Sequence, residues 1–132
     1  MPVKDGDTFL LRIGRNRMAA RFPVTAVVSE EATKKGLSNR DMLPRGTGLL
    51  FIYRELAMQS MWMPDMKFPL DIVWLDEQFC VAHITYAAQP CVSLNNCPAY
   101  SSMYRVLYAI EMNAGDAAAF SIGTQLYVVN VT

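Results

Sequence analysis

The chain has 132 residues, of which 52% are hydrophobic and 18% charged, and its formal net charge is +0. That length supports one domain, residues 1–132, with a real core. The charge balance argues against nucleic-acid binding, which needs several cationic phosphate contacts. The charged fraction is below the roughly 25% of an ordinary soluble domain. With no net charge to oppose association, two outcomes are expected: burial of surface against a partner or another copy, or a monomer with an unusually apolar core.

Thr8 to Ile13 reads as a first strand and Phe22 to Val28 as a second. Between them Gly14-Arg15-Asn16-Arg17 forms a basic turn. The run Phe9 to Ile13 is broken by Arg12 and is too short for a membrane span or a signal peptide's apolar region. The expectation is no membrane and a cytoplasmic chain, with a virion as the destination if the producing cell is infected. Ser29 then caps a short helix. Glu30 and Glu31 suit its first turn, Lys34 and Lys35 its last, and Gly36 ends it.

Pro44 and Gly46-Thr47-Gly48 precede an apolar strand, Leu49 to Tyr53. Gln59 to Met63 and Leu70 to Leu75 are further strands, and Phe79 to Tyr86 returns after a turn at Asp76-Glu77-Gln78. Ala87 to Ser102 is the longest irregular piece, of the kind that is often functional or interfacial. Met103 to Met112 is a strand, Ala117 to Phe120 one helical turn, and Gln125 to Val131 the last strand. The fold class is therefore β-rich α+β. It is a curled or barrel-like, mainly antiparallel sheet with one or two short helices.

The ordered pieces Gly36-Leu37 with Arg40, Gly48-Leu49-Leu50-Phe51, Trp62-Met63 with Pro69-Leu70-Asp71-Ile72, Pro90-Cys91 with Cys97-Pro98 and Tyr100, and Ala109-Ile110-Glu111 with Gly115 carry a resemblance. They resemble the bacterial, archaeal and phage family known as domain of unknown function 192, from about Ala32 to Val131. Asp65-Met66 departs from the family's hydroxyl-bearing pair at that place. The resemblance implies a fold and no reaction. It marks Arg40 and Asp71 as related positions, and Arg40 as a partner for Asp71.

Asp71 is a lone acid in an apolar strand, where it shares a face with Val73 and Leu75. A buried carboxylate needs a partner. Either it satisfies backbone amides or Arg40 at the core's rim, the favoured reading, or it anchors a small pocket walled by Trp62. Such a pocket would draw on Arg40, Trp62, Asp71, Cys91, Cys97 and Tyr100. Cys80, His83, Cys91 and Cys97 do not make a zinc set: Cys80 and His83 are three apart in a strand, and five residues separate Cys91 from Cys97. A bridge between Cys91 and Cys97 is sterically allowed and a cytosolic protein usually keeps such cysteines reduced, so the sequence leaves their pairing open. His83 has no nucleophile context, so no catalytic residue, metal or cofactor is expected. Met58, Met61, Trp62 and Met66 form an apolar group suited to an interface. The leading expectation is a non-enzymatic structural or binding domain acting through protein association, with a phage capsid or tail protein as one form. The alternative is a small-ligand binder or hydrolase-like protein using the pocket around Trp62 and Asp71.

Overall fold

The computed structural model describes residues 2–38, 43–91 and 94–129. Seven strands, β1 (Thr8–Ile13), β2 (Arg21–Val27), β3 (Gly48–Trp62), β4 (Leu70–Leu75), β5 (Val81–Ala88), β6 (Ala99–Asn113) and β7 (Leu126–Val129), form one sheet. Their order is β5-β4-β6-β3-β2-β1-β7. Every adjacent pair is antiparallel except β2 with β3. A parallel pair cannot be closed by a hairpin and needs a crossover. Here the crossover carries helix α1 (Glu30–Lys35). The sheet is not a closed barrel, but it curls until its two edge strands nearly meet. The backbone at Cys80, just before β5, bridges Gln125, just before β7.

Curling gives the sheet two buried faces. The inner face packs Leu11, Phe22, Leu50, Val73, Ile110 and Leu126, among others. The outer face packs Leu49, Phe51, Ile72, Trp74, Val106 and Ala109 under Leu37, Leu43 and Met63. Strand β4 has no exposed position because both its faces are covered. Its Trp74 indole is fully buried and donates to Thr85 Oγ1 at 3.1 Å, which satisfies its one polar atom.

Helix α1 follows its local signals. Ser29 accepts a hydrogen bond from the Ala32 amide at 3.0 Å. Gly36 ends the helix at φ 46°, a conformation open to glycine. After it, Leu43 is clamped to the end of β6 by Asn113. That buried amide accepts from the Leu43 N–H at 3.2 Å and donates to its carbonyl at 2.6 Å.

Two expectations need correction, and one open point is resolved. Leu49–Tyr53 and Gln59–Met63 are not separate strands: all but Met63 belong to the 15-residue β3, which keeps pairing with β6 through register shifts at Ile52/Ala57 and Met58/Ser60. The irregular piece is shorter than Ala87 to Ser102. Ala87 and Ala88 finish β5, Leu94–Asn96 is a 3-10 turn, and Ala99 to Ser102 already belong to β6. The pairing of Cys91 with Cys97, left open by the sequence, is present as a disulfide with Cα atoms 4.9 Å apart. No described helix is long and apolar enough to cross a membrane.

Candidate functional site

Strands β3 and β6 outrun their neighbours. β2 pairs with β3 only over Gly48–Phe51, and β4 pairs with β6 only from Tyr108 onward. Beyond these limits, Ala57–Trp62 and Ala99–Val106 pair with each other as a two-stranded ribbon. Between this ribbon, the end of α1 and the turn after Trp62 lies a cavity of about 550 Å³. Gly36 and Leu37 form one side, and Phe51, Tyr53 and Met61 another. Trp62, Pro64, Met66 and Glu111 of β6 also line it.

Glu111 is the least expected of these. Its cross-strand neighbours are Leu49 and Ile72, so it stands on the outer face among apolar side chains. Only 5% of the residue is exposed. Its Oε1 has no hydrogen-bond partner among the described residues. Burial disfavours the carboxylate and raises its pKa to about 8. At pH 7 the group is therefore mostly a neutral acid, able to donate one hydrogen bond and accept others. Tyr53 beside it is pushed upward too, first by burial and then by the nearby Glu111 charge. Lys34, Lys35 and Asp65 are exposed at the cavity's edge.

The residues singled out from sequence fall in three places. Trp62, Met61 and Met66 line the cavity, with Trp62 56% exposed. Cys91 and Tyr100 pack against the same outer cluster as Met61 and Met66, but they do not line the cavity. Cys91 donates its amide to the Met63 carbonyl at 3.1 Å, and the Tyr100 hydroxyl accepts from the Gln89 amide at 3.1 Å. Cys97 joins them through the disulfide. Met58 points away into solvent, 62% exposed. Arg40, and with it the pairing of Arg40 with Asp71, lies outside the described residues.

Asp71 does not line the cavity. It faces the inner side of the sheet with Val73 and Leu75 and is 1% exposed. Its Oδ1 accepts from the Ala87 amide at 2.8 Å, and its Oδ2 from Gly115 at 2.8 Å and Ala117 at 3.0 Å. These three bonds tie the end of β5 and the 3-10 turn Asp116–Ala119 to β4. This is the amide-satisfying role, not the pocket anchor. Among the described residues, no three His, Cys, Asp or Glu side chains gather in a way that would hold a metal ion.

Fold and site together define a class: a curled, mixed seven-stranded sheet with a β-α-β crossover beside a cavity that holds a buried acid. The chain matches the family model DUF192, described as "Uncharacterized ACR, COG1430", over residues 12–128, and it belongs to that family. Two solved structures share the fold. One is a proposed transcription regulator from Sinorhizobium meliloti 1021, with TM-score 0.81, 23% identity, 96% of this chain covered and 98% of that one. The other is a protein of unknown function from Novosphingobium aromaticivorans DSM 12444, with TM-score 0.78, 22% identity, 89% of this chain covered and 83% of that one. No curated protein matches the chain.

Proposed function

We propose that this chain is a non-enzymatic small-ligand-binding domain whose site is the cavity between α1, the β3–β6 ribbon and the Trp62–Met66 turn. The observation that carries this reading is Glu111: a buried carboxyl whose Oε1 has no hydrogen-bond partner among the described residues, beside a cavity of about 550 Å³. Ligand sites are typically concave and mostly apolar with a few convergent polar groups, and they fall in this size range. A buried acid with a shifted pKa is a further mark of such sites. The cavity has these features: Phe51, Tyr53, Met61 and Trp62 supply apolar surface, and Glu111 supplies an orienting polar group. Compared with the pocket expected from sequence, Trp62 stays and Glu111 takes the place of Asp71.

The test is a fragment screen read by amide chemical shifts. Hits that move residues 33–38, 51–53 and 59–66 together support the site. Hits that cluster elsewhere, or none across a library of a few hundred compounds, defeat it.

A second reading, association with a protein partner or another copy, keeps a specific support. Met58, Trp62, Met103 and Tyr104 on the ribbon are each more than half exposed. A bare two-stranded ribbon is marginal on its own, and apolar groups so displayed suit an interface. A virion component would be one form of this reading. Native mass spectrometry across concentration tests it, and a monomer at every concentration would remove self-association. A nucleic-acid role forms no part of the proposal, because the formal net charge is +0.

A further inference from the structure

Glu111 also says what kind of ligand the cavity suits. Its Oε1 sits where glycine was needed: a Cβ on Gly36 would lie 3.1 Å from that oxygen and 3.4 Å from Phe51 Cζ. The backbone thus comes close to the carboxyl without supplying it a donor among the described residues. An unpaired buried polar group is costly, and a charged one more so. A ligand that brings a strong donor removes that cost. The strongest donors for a carboxylate are cationic nitrogens, and a planar amidinium or guanidinium meets both oxygens with parallel N–H bonds. Such a cation is weakly hydrated and also stacks on aromatic faces. Phe51, Tyr53 and Trp62 line the same cavity.

Resting on the ligand-binding reading above, we propose that the ligand presents a planar nitrogen cation, an amidinium or guanidinium group, to Glu111 against these rings. Among the described residues, few titratable or charged groups line the cavity besides Glu111. Lys34 and Lys35 come from α1, Tyr53 from β3 and Asp65 from the turn after β3, while β4 contributes none. Lys34 lies 3.9 Å from Glu30, with both side chains more than three-quarters exposed, so its charge is well screened. Asp65 offers an opposite charge at the same edge. Neither lysine donates to Glu111 Oε1.

Binding has a proton balance. The acid in the empty site gives its proton to the buffer, and the carboxylate that remains pairs with the cation. Glu111 titrates near 8 in the empty protein. Affinity for a permanent cation should therefore rise about tenfold per pH unit up to that point and level off above it.

Benzamidine and its neutral isostere benzamide are suitable probes, compared by titration calorimetry between pH 6 and 9 in buffers of different ionisation enthalpy. The expected result is that benzamidine binds at least tenfold more tightly than benzamide at pH 8. Close to one proton should be released per site at pH 6.5. Glu111→Gln should abolish the release and flatten the pH profile, with its fold checked by amide shifts. Equal or tighter benzamide binding, or affinity that falls through pH 8, would overturn the cation inference and leave the cavity a site for neutral ligands. Fragment hits in the cavity with no benzamidine binding would overturn it as well. An absence of any fragment hits would instead remove the ligand-binding reading beneath it.

Discussion

Asp71 and Glu111 make a natural pair for comparison. They sit on adjacent strands one register step apart: Asp71 opposes Met112, and Glu111 opposes Ile72. Both are buried, at 1% and 5% exposure. They face opposite sides of the sheet and opposite circumstances. Asp71 receives three backbone N–H donors. Glu111 Oε1 receives none among the described residues. Burial alone therefore does not separate an acid committed to the fold from a candidate ligand contact. The number of donors aimed at it does, because a fully satisfied carboxylate has nothing left to offer a ligand.

Replacing each acid should break that symmetry in opposite directions. Asp71→Ala carries the largest expected effect. It leaves three amides without an acceptor, at about 1–3 kcal/mol each, which totals on the order of 5 kcal/mol. That is comparable to the whole stability of many domains. Urea denaturation should show either a collapsed midpoint or no folded protein. Asp71→Asn is a gentler probe, since its NH₂ would face a donor on one side, and a loss of about 3 kcal/mol is expected. A loss under about 1 kcal/mol would show that the amides find other partners.

Glu111→Gln should stabilise the protein, and only at high pH. The sign follows from the raised pKa. Between the ordinary value of 4.5 and about 8, the folded state holds a proton that the unfolded state has released. Wild-type stability therefore falls as pH rises through this window, and it is flat below and above it. At about 1.4 kcal/mol per pH unit, the ceiling is on the order of 5 kcal/mol. The variant should lose this slope, so its advantage should be greatest at pH 9 and vanish near pH 4. Denaturation midpoints at three pH values check it. Parallel curves for the two proteins would mean that Glu111 ionises normally and that a cation of the protein itself already serves it, which also removes the ligand inference.

How much of this was readable from the sequence depended on distance along the chain. Helix α1 was legible with its cap and its stop because each signal lies within a few residues of the element it controls. The faces of β4 were legible by strict alternation, and so was the need of Asp71 for a partner. Long β3 was not. Arg54 and Glu55 interrupt its apolar pattern, and pairing with β6 some fifty residues later is what carries the strand through its register shifts. The start of β6 was hidden for the same reason, since Ala99 to Ser102 are strand only because Ser60 to Trp62 lie beside them. Glu111 did leave a signal, a lone acid between Ile110 and Met112. The reasoning applied to Asp71 applied equally to it, but sequence does not say which of two buried acids will find amides.

Smaller effects test the cavity itself. Gly36→Ala should cost about 1–2 kcal/mol, because φ 46° is strained for any side chain. The new Cβ would press on Glu111 Oε1 and Phe51, so ligand affinity should fall with it. Trp62→Ala carries the smallest expected effect on stability, and it separates the two functional readings. Trp62 is 56% exposed and ends β3 opposite Ala99, so little burial is lost and a change under about 1 kcal/mol is expected. If Trp62 is a ligand wall, its removal should weaken fragment binding severalfold and leave the oligomeric state unchanged. If it belongs to an association surface with Met58 and Tyr104, the oligomer should dissociate while binding in the cavity persists. Measuring both on one variant makes the outcomes mutually informative, because one indole ring is being assigned either to the cavity or to a partner's surface.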